Sequence, residues 1–108
     1  MTQFTFLADL VGQIDDIRPD SIISRTIFSS DQVKAILFGF AAGQELSEHT
    51  ASKPAILHFV KGQARLTLGG EAMSAQPGTW VHMEPNLPHS IFAETELIML
   101  LLLLEEKR

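Results

Sequence analysis

The 108-residue chain contains no cysteine, no tyrosine and a single tryptophan. The lack of cysteine excludes a disulfide scaffold, a thiolate zinc site, an iron–sulfur cluster and a cysteine nucleophile. Basic residues are also scarce: 8 Lys and Arg against 13 Asp and Glu give a formal net charge of −5. No basic stripe could track a phosphate backbone, so nucleic acid is not an expected partner. Long apolar runs are missing too. The longest, Leu97 to Leu104, falls far short of the roughly 18 residues that cross a bilayer. Met1–Val11 has no basic n-region, and Asp9 interrupts it, so it does not read as a signal peptide. No membrane partner is expected, and the simplest placement is a soluble, cytoplasmic protein. What the chain does have is 45% hydrophobic residues, enough for one core, and four histidines.

Hydrophobic spacing divides the chain in two. Phe6, Leu7, Leu10 and Val11 recur at near-helical spacing, which predicts a short N-terminal helix or arm within residues 1–20. From Ser21 onward the period drops to 2 and turn residues punctuate short runs. Strands are predicted at 21–28, 33–40, 46–50, 55–61, 63–68, 71–75, 79–84, 89–93 and 97–104, making residues 21–108 an all-β barrel or sandwich. Ala64–Leu68, then Gly69-Gly70, then Glu71–Met73 read as a hairpin, because both glycines can take positive φ. The unalternating run Leu97–Leu104 predicts an interior strand, covered on one face by the opposite sheet and on the other by a second subunit.

Two stretches carry a resemblance. One runs Gly43-Gln44-Glu45-Leu46-Ser47-Glu48-His49-Thr50-Ala51, with Gly62 further on. The other runs Pro77-Gly78-Thr79-Trp80-Val81-His82-Met83-Glu84-Pro85-Asn86-Leu87-Pro88-His89. Together they resemble the two motifs of the cupin superfamily, and especially the small single-domain conserved-barrel cupins. The resemblance spans about Ser21 to Leu104 and implies a double-stranded β-helix, a jelly-roll barrel. In metal-binding cupins the first motif supplies His-x-His and a further Glu or His, and the second motif supplies one more His. Carried over by position, His49 matches the first histidine and His89 the last. Ala51 stands where the second histidine would be, and Ala55 where the next ligand would be. The resemblance thus implies an incomplete metal site on His49 and His89, and no cofactor is expected beyond a divalent transition metal held there.

Alternation assigns the remaining residues. Leu57, Phe59, Val81, Met83, Ile91 and Met99 should line the interior with His49, Ala51, Ala55 and His89, forming a pocket for an apolar ligand or a filled barrel. Ile56, His58, Val60, Trp80, His82 and Phe92 should face outward at a homodimer interface, with His58 and His82 side by side. Ser47, Ser52 and Ser90 lack a nucleophile-elbow context, so a serine hydrolase is unsupported. The expected function is binding of a small apolar or weakly polar molecule. One alternative is a metal-dependent dioxygenase or isomerase using His49 and His89; another is a structural or regulatory homodimer without ligand.

Overall fold

Nine strands account for nearly all the regular structure in the computed structural model, which describes residues 3–105. In chain order they are β1 (Ile22–Ser29), β2 (Val33–Phe40), β3 (Glu45–His49), β4 (Ala55–Lys61), β5 (Ala64–Leu68), β6 (Glu71–Ala75), β7 (Trp80–Met83), β8 (His89–Ala93) and β9 (Leu97–Leu104). They form two antiparallel sheets. One has five strands in the order β1-β2-β9-β4-β7, the other four in the order β3-β8-β5-β6. The neighbours are mostly distant in sequence, which is the jelly-roll pattern. The β5–β6 hairpin turns on Gly69 and Gly70, at φ 56° and 86°, as the two-glycine signal requires.

The inner faces carry the alternating apolar residues. Phe40, Leu57, Phe59, Leu66, Ile91, Leu97 and Met99 are all at most 2% exposed and belong to a single core cluster. At one end of the four-stranded sheet, Ala93, Ala64 and Ala75 sit opposite one another across β8, β5 and β6. This row of small side chains belongs to the same core cluster as the large Phe40 and Phe59, the mix of sizes that lets facing layers interdigitate.

Of the helix or arm predicted within residues 1–20, the helix suggested by the spacing of Phe6 to Val11 is reduced to a single turn. Residues 3–10 have no regular structure, and Phe4 and Phe6 are each 75% exposed. The only helical turn among the described residues is a 3-10 turn at Val11–Gln13, with no side-chain cap. So short a segment cannot offset the cost of helix nucleation unless it buries an apolar face, and here the burying is done by isoleucines further along. Ile14 and Ile17 lie so close to Gly39 on β2 that a Cβ there would meet them at 3.0 and 2.9 Å. Arg25 anchors the same stretch by donating from Nη1 to the Gln13 carbonyl, 3.1 Å.

This arm changes what covers the central strand. β9 lies between β2 and β4, with Leu97, Met99, Leu101 and Leu103 toward the core. On its outer side Ile98, paired with Gly39, is only 3% exposed. The chain's own arm therefore shields part of the face for which a second subunit was expected. Leu100, Leu102 and Leu104 on that face are only half-buried.

Candidate binding site at the histidine end

The connections β1–β2, β3–β4, β5–β6 and β7–β8 all leave the sandwich at one end, opposite the alanine row. His49 closes β3 and His89 opens β8, so both reach that end, and they pair directly in register. The pairing depends on an irregularity. Leu46 opposes Ile91 and His49 opposes His89, so three steps on β3 match two on β8. Strict alternation would put Leu46 and His49 on opposite faces; the extra residue of a bulge brings both to the inner face.

The two rings are close, with centroids 4.2 Å apart and planes at 59°. Each is fixed the same way. Nδ1 of His49 lies 2.8 Å from the Ser47 carbonyl, and Nδ1 of His89 lies 2.8 Å from the Leu87 carbonyl. A carbonyl oxygen only accepts, so in each ring Nδ1 carries the proton and donates it. In the neutral rings both Nε2 atoms are then bare acceptors, and neither has a hydrogen-bond partner among the described residues. His49 is exposed and His89 is 6% exposed. No described buried side-chain nitrogen lacks a partner, so the small accessible surface of His89 includes Nε2. The site therefore places two neighbouring imidazoles at the lip of the sandwich, each with its Nε2 unpartnered among the described residues.

Other predicted site residues fall in different places. Leu57, Phe59, Met83, Ile91 and Met99 are core, and Val81 is half-buried against it. Ala55 is 2% exposed, opposite Met83 and Leu103. Ala51 is half-buried, and its carbonyl accepts from the Asn86 N–H at 2.7 Å, tying the β3–β4 loop to the corner that delivers His89. His58 and His82 are exposed on the outer face of the five-stranded sheet. They are diagonal neighbours there, not directly side by side: His58 opposes Trp80 and His82 opposes Ile56. Val60 falls in the irregular step between Phe59 and Lys61. Phe92 does not share a patch with Trp80, because β8 belongs to the other sheet. Alternation separates inside from outside but does not say which sheet's outside.

A family model of the cupin domain matches residues 36–104. The chain belongs to the cupin family. Solved structures agree on the fold. A cupin superfamily protein from Desulfitobacterium hafniense is 24% identical, with 90% of this chain and 88% of that one covered and a TM-score of 0.83. A conserved protein of unknown function from Streptococcus pyogenes is 23% identical over 99% and 93%, with a TM-score of 0.84. A mutant salicylate 1,2-dioxygenase from Pseudoaminobacter salicylatoxidans is 13% identical over 76% of this chain and 26% of that one, with a TM-score of 0.73. No curated protein is significantly similar in sequence.

The metal implied by the cupin resemblance does not fit the donors present here. A catalytic zinc-type centre takes three protein ligands and keeps an open position. Around His49 and His89 no third His, Asp or Glu joins the cluster among the described residues, and alanine at 51 and 55 offers no donor atom. No helix among the described residues is long and apolar enough to cross a membrane.

Proposed function

We propose that this cupin binds a small, largely apolar molecule that carries a hydrogen-bond donor, and that the His49–His89 pair is its polar anchor. The observation that carries this reading is the shared tautomer. Both Nδ1 protons are committed to backbone carbonyls, so both Nε2 atoms await a donor, a hydroxyl or an N–H. Leu46, beside the pair on β3, and Leu68, opposite His89 on β5, supply apolar surface on the same inner face.

Phenol and its methyl ether anisole test the reading, because only phenol can donate. Phenol should shift the imidazole 15N resonances of both rings and bind about three- to tenfold more tightly than anisole, the worth of one net hydrogen bond. His89→Ala should remove the difference. Equal binding of the two probes, or a difference that survives His89→Ala, would refute the assignment. So would stoichiometric iron or manganese in untagged protein that is lost on His89→Ala.

We further infer that two copies associate through the outer face of the five-stranded sheet, on the part the arm leaves open. Trp80 there is 58% exposed, and Ile56, Leu100, Leu102 and Leu104 are half-buried. β2, β4, β7 and β9 contain no Asp or Glu, in a chain with 13 acidic residues. Glu84, just past β7, brings its carboxylate within 3.9 Å of His82 Nδ1 at the edge of this face; the rest of the face carries little negative charge to oppose its own copy. Light scattering should give a dimer at tens of micromolar. Trp80→Asp, which alters a side chain already exposed in the folded chain, should shift the mass to monomer. A monomeric parent, or a variant that stays dimeric, contradicts the inference.

A further inference from the structure

The surface forms a concavity at the histidine end that contains neither histidine. It is a cleft of about 190 Å³ between the β1–β2 turn, the β3–β4 loop and the end of β9. We propose that this cleft is a binding site for the carboxylate of a small organic acid, with Lys34 as the principal cation. The proposal does not depend on the reading of the histidine pair.

Lys34 occupies an unusual position. On β2 Phe40 lies in the core cluster and Phe38 packs against it, and the same alternation runs through Ile36 to Lys34, which is paired with Leu103 on β9. Leu103 packs against the core cluster. Lys34 therefore ends an inward-facing row at the lip of the sandwich, where its stem can lie along apolar surface while its ammonium stays in the cleft. Ser29 on β1 is its direct partner across the ladder. Among the described residues, no carboxylate lies within 4 Å of its ammonium.

The other groups in the cleft limit what it can take. Lys53 is already paired with Glu105. The Ser30 hydroxyl accepts from the Gln32 and Val33 N–H groups at 3.2 and 3.3 Å, so it holds the turn. The Ser29 hydroxyl has no hydrogen bond to another described residue. Two lysines and one glutamate line the cleft, giving a local formal charge of 2 − 1 = +1, which suits a monoanion; a second negative charge would be repelled by Glu105. Val33 and Leu103 give the cleft apolar lining for the carbon body of such a ligand. A cavity of about 150 Å³ is enough to admit benzene, so an aromatic or short aliphatic acid fits the space.

Benzoate and its neutral analogue benzamide are suitable probes, followed by amide NMR on the full chain. Benzoate should shift the amides of Ser29, Val33, Lys34 and Leu103 with millimolar affinity, and benzamide should bind at least tenfold more weakly. Lys34→Met keeps the apolar stem at an exposed position and should preserve the spectrum of the fold while weakening benzoate at least tenfold. Ser29→Ala should weaken it severalfold. His89→Ala should leave it unchanged, which separates this site from the histidine pair. The proposal is overturned if benzamide binds as well as benzoate, or if Lys34→Met has no effect. It is equally overturned by shifts centred on His49 and His89, by inorganic phosphate matching benzoate, or by the absence of binding at 20 mM benzoate.

Discussion

Gly62→Ala is expected to destabilise the chain by roughly 3–5 kcal/mol, placing it among the exceptional single substitutions. Gly62 joins β4 to β5 at φ +91°, where an added Cβ would lie 2.0 Å from the Glu96 carbonyl oxygen and 3.0 Å from Thr95 Oγ1. The obstacle is backbone, not the end of a flexible side chain, so one of two turns must move. Neither moves alone. The Gln63 N–H donates to Thr95 Oγ1 at 3.0 Å, and the Gln63 carbonyl accepts from Glu94 and Thr95 N–H at 3.0 and 3.3 Å. The β4–β5 and β8–β9 turns are thus interlocked, and relieving the contact breaks bonds in both. Gly43→Ala is the matched control: its φ is +87°, but nothing lies within 4 Å of the added Cβ. It should cost about 1–2 kcal/mol, the penalty for a side chain in the left-handed region alone. In a chain of this size each kcal/mol lowers the thermal midpoint by roughly 4–8 °C, so calorimetry resolves the two variants. Equal losses would show that the Glu96 contact costs nothing.

That turn also shows which parts of the fold were legible. Gly62 and Gly69-Gly70 stand out in the sequence as breaks between alternating runs, and alternation is enough to place the strands from Ser21 onward. It works because each strand has one face on the core and one outside. The N-terminal arm defeated the same reasoning. Apolar spacing over Phe6–Val11 is compatible with a helix, but the docking that decides the matter comes from Ile14 and Ile17 against Gly39, and a long-range contact leaves no periodicity. The bulge in β3 is hidden for a related reason. Nothing in Leu46-Ser47-Glu48-His49 marks an extra residue, yet without it His49 would face away from His89. Lys34, by contrast, was findable: it falls on the inward alternation of Phe40, Phe38 and Ile36 and breaks it only in polarity. The candidate site was legible in its two histidines, through motif position. The tautomer on which the proposed anchoring rests is set by the carbonyls of Ser47 and Leu87, and no side-chain pattern reports where a carbonyl points.

Phe59→Ala is expected to cost roughly 3–5 kcal/mol and to convert the closed end of the sandwich into a binding cavity. Phe59 is 0% exposed and is held on both sides of β4. Its neighbour across one ladder is Met99, while its N–H donates to the Thr79 carbonyl at 2.9 Å and its own carbonyl accepts from Gly78 N–H at 2.8 Å. With the backbone pinned, the sheets cannot collapse fully into the space the ring leaves, which is the condition for the upper part of that range. The cavity would be lined by core residues such as Met99, Leu66 and Leu97. An apolar cavity of that kind stays dry and accepts apolar guests. Benzene at ten times its dissociation constant should then restore roughly 1.4 kcal/mol by mass action, read as a rise in the thermal midpoint of the variant. The parent chain should gain nothing at the same concentration if Phe40 and Phe59, each 0% exposed, occupy that space. A parent stabilised as much as the variant would mean the interior is open, and ligand binding would then belong inside the sandwich. A variant that loses less than about 1 kcal/mol would mean the ring fills no unique space. Stabilisation confined to Phe59→Ala would show that the native interior has no room for benzene, as a filled barrel requires.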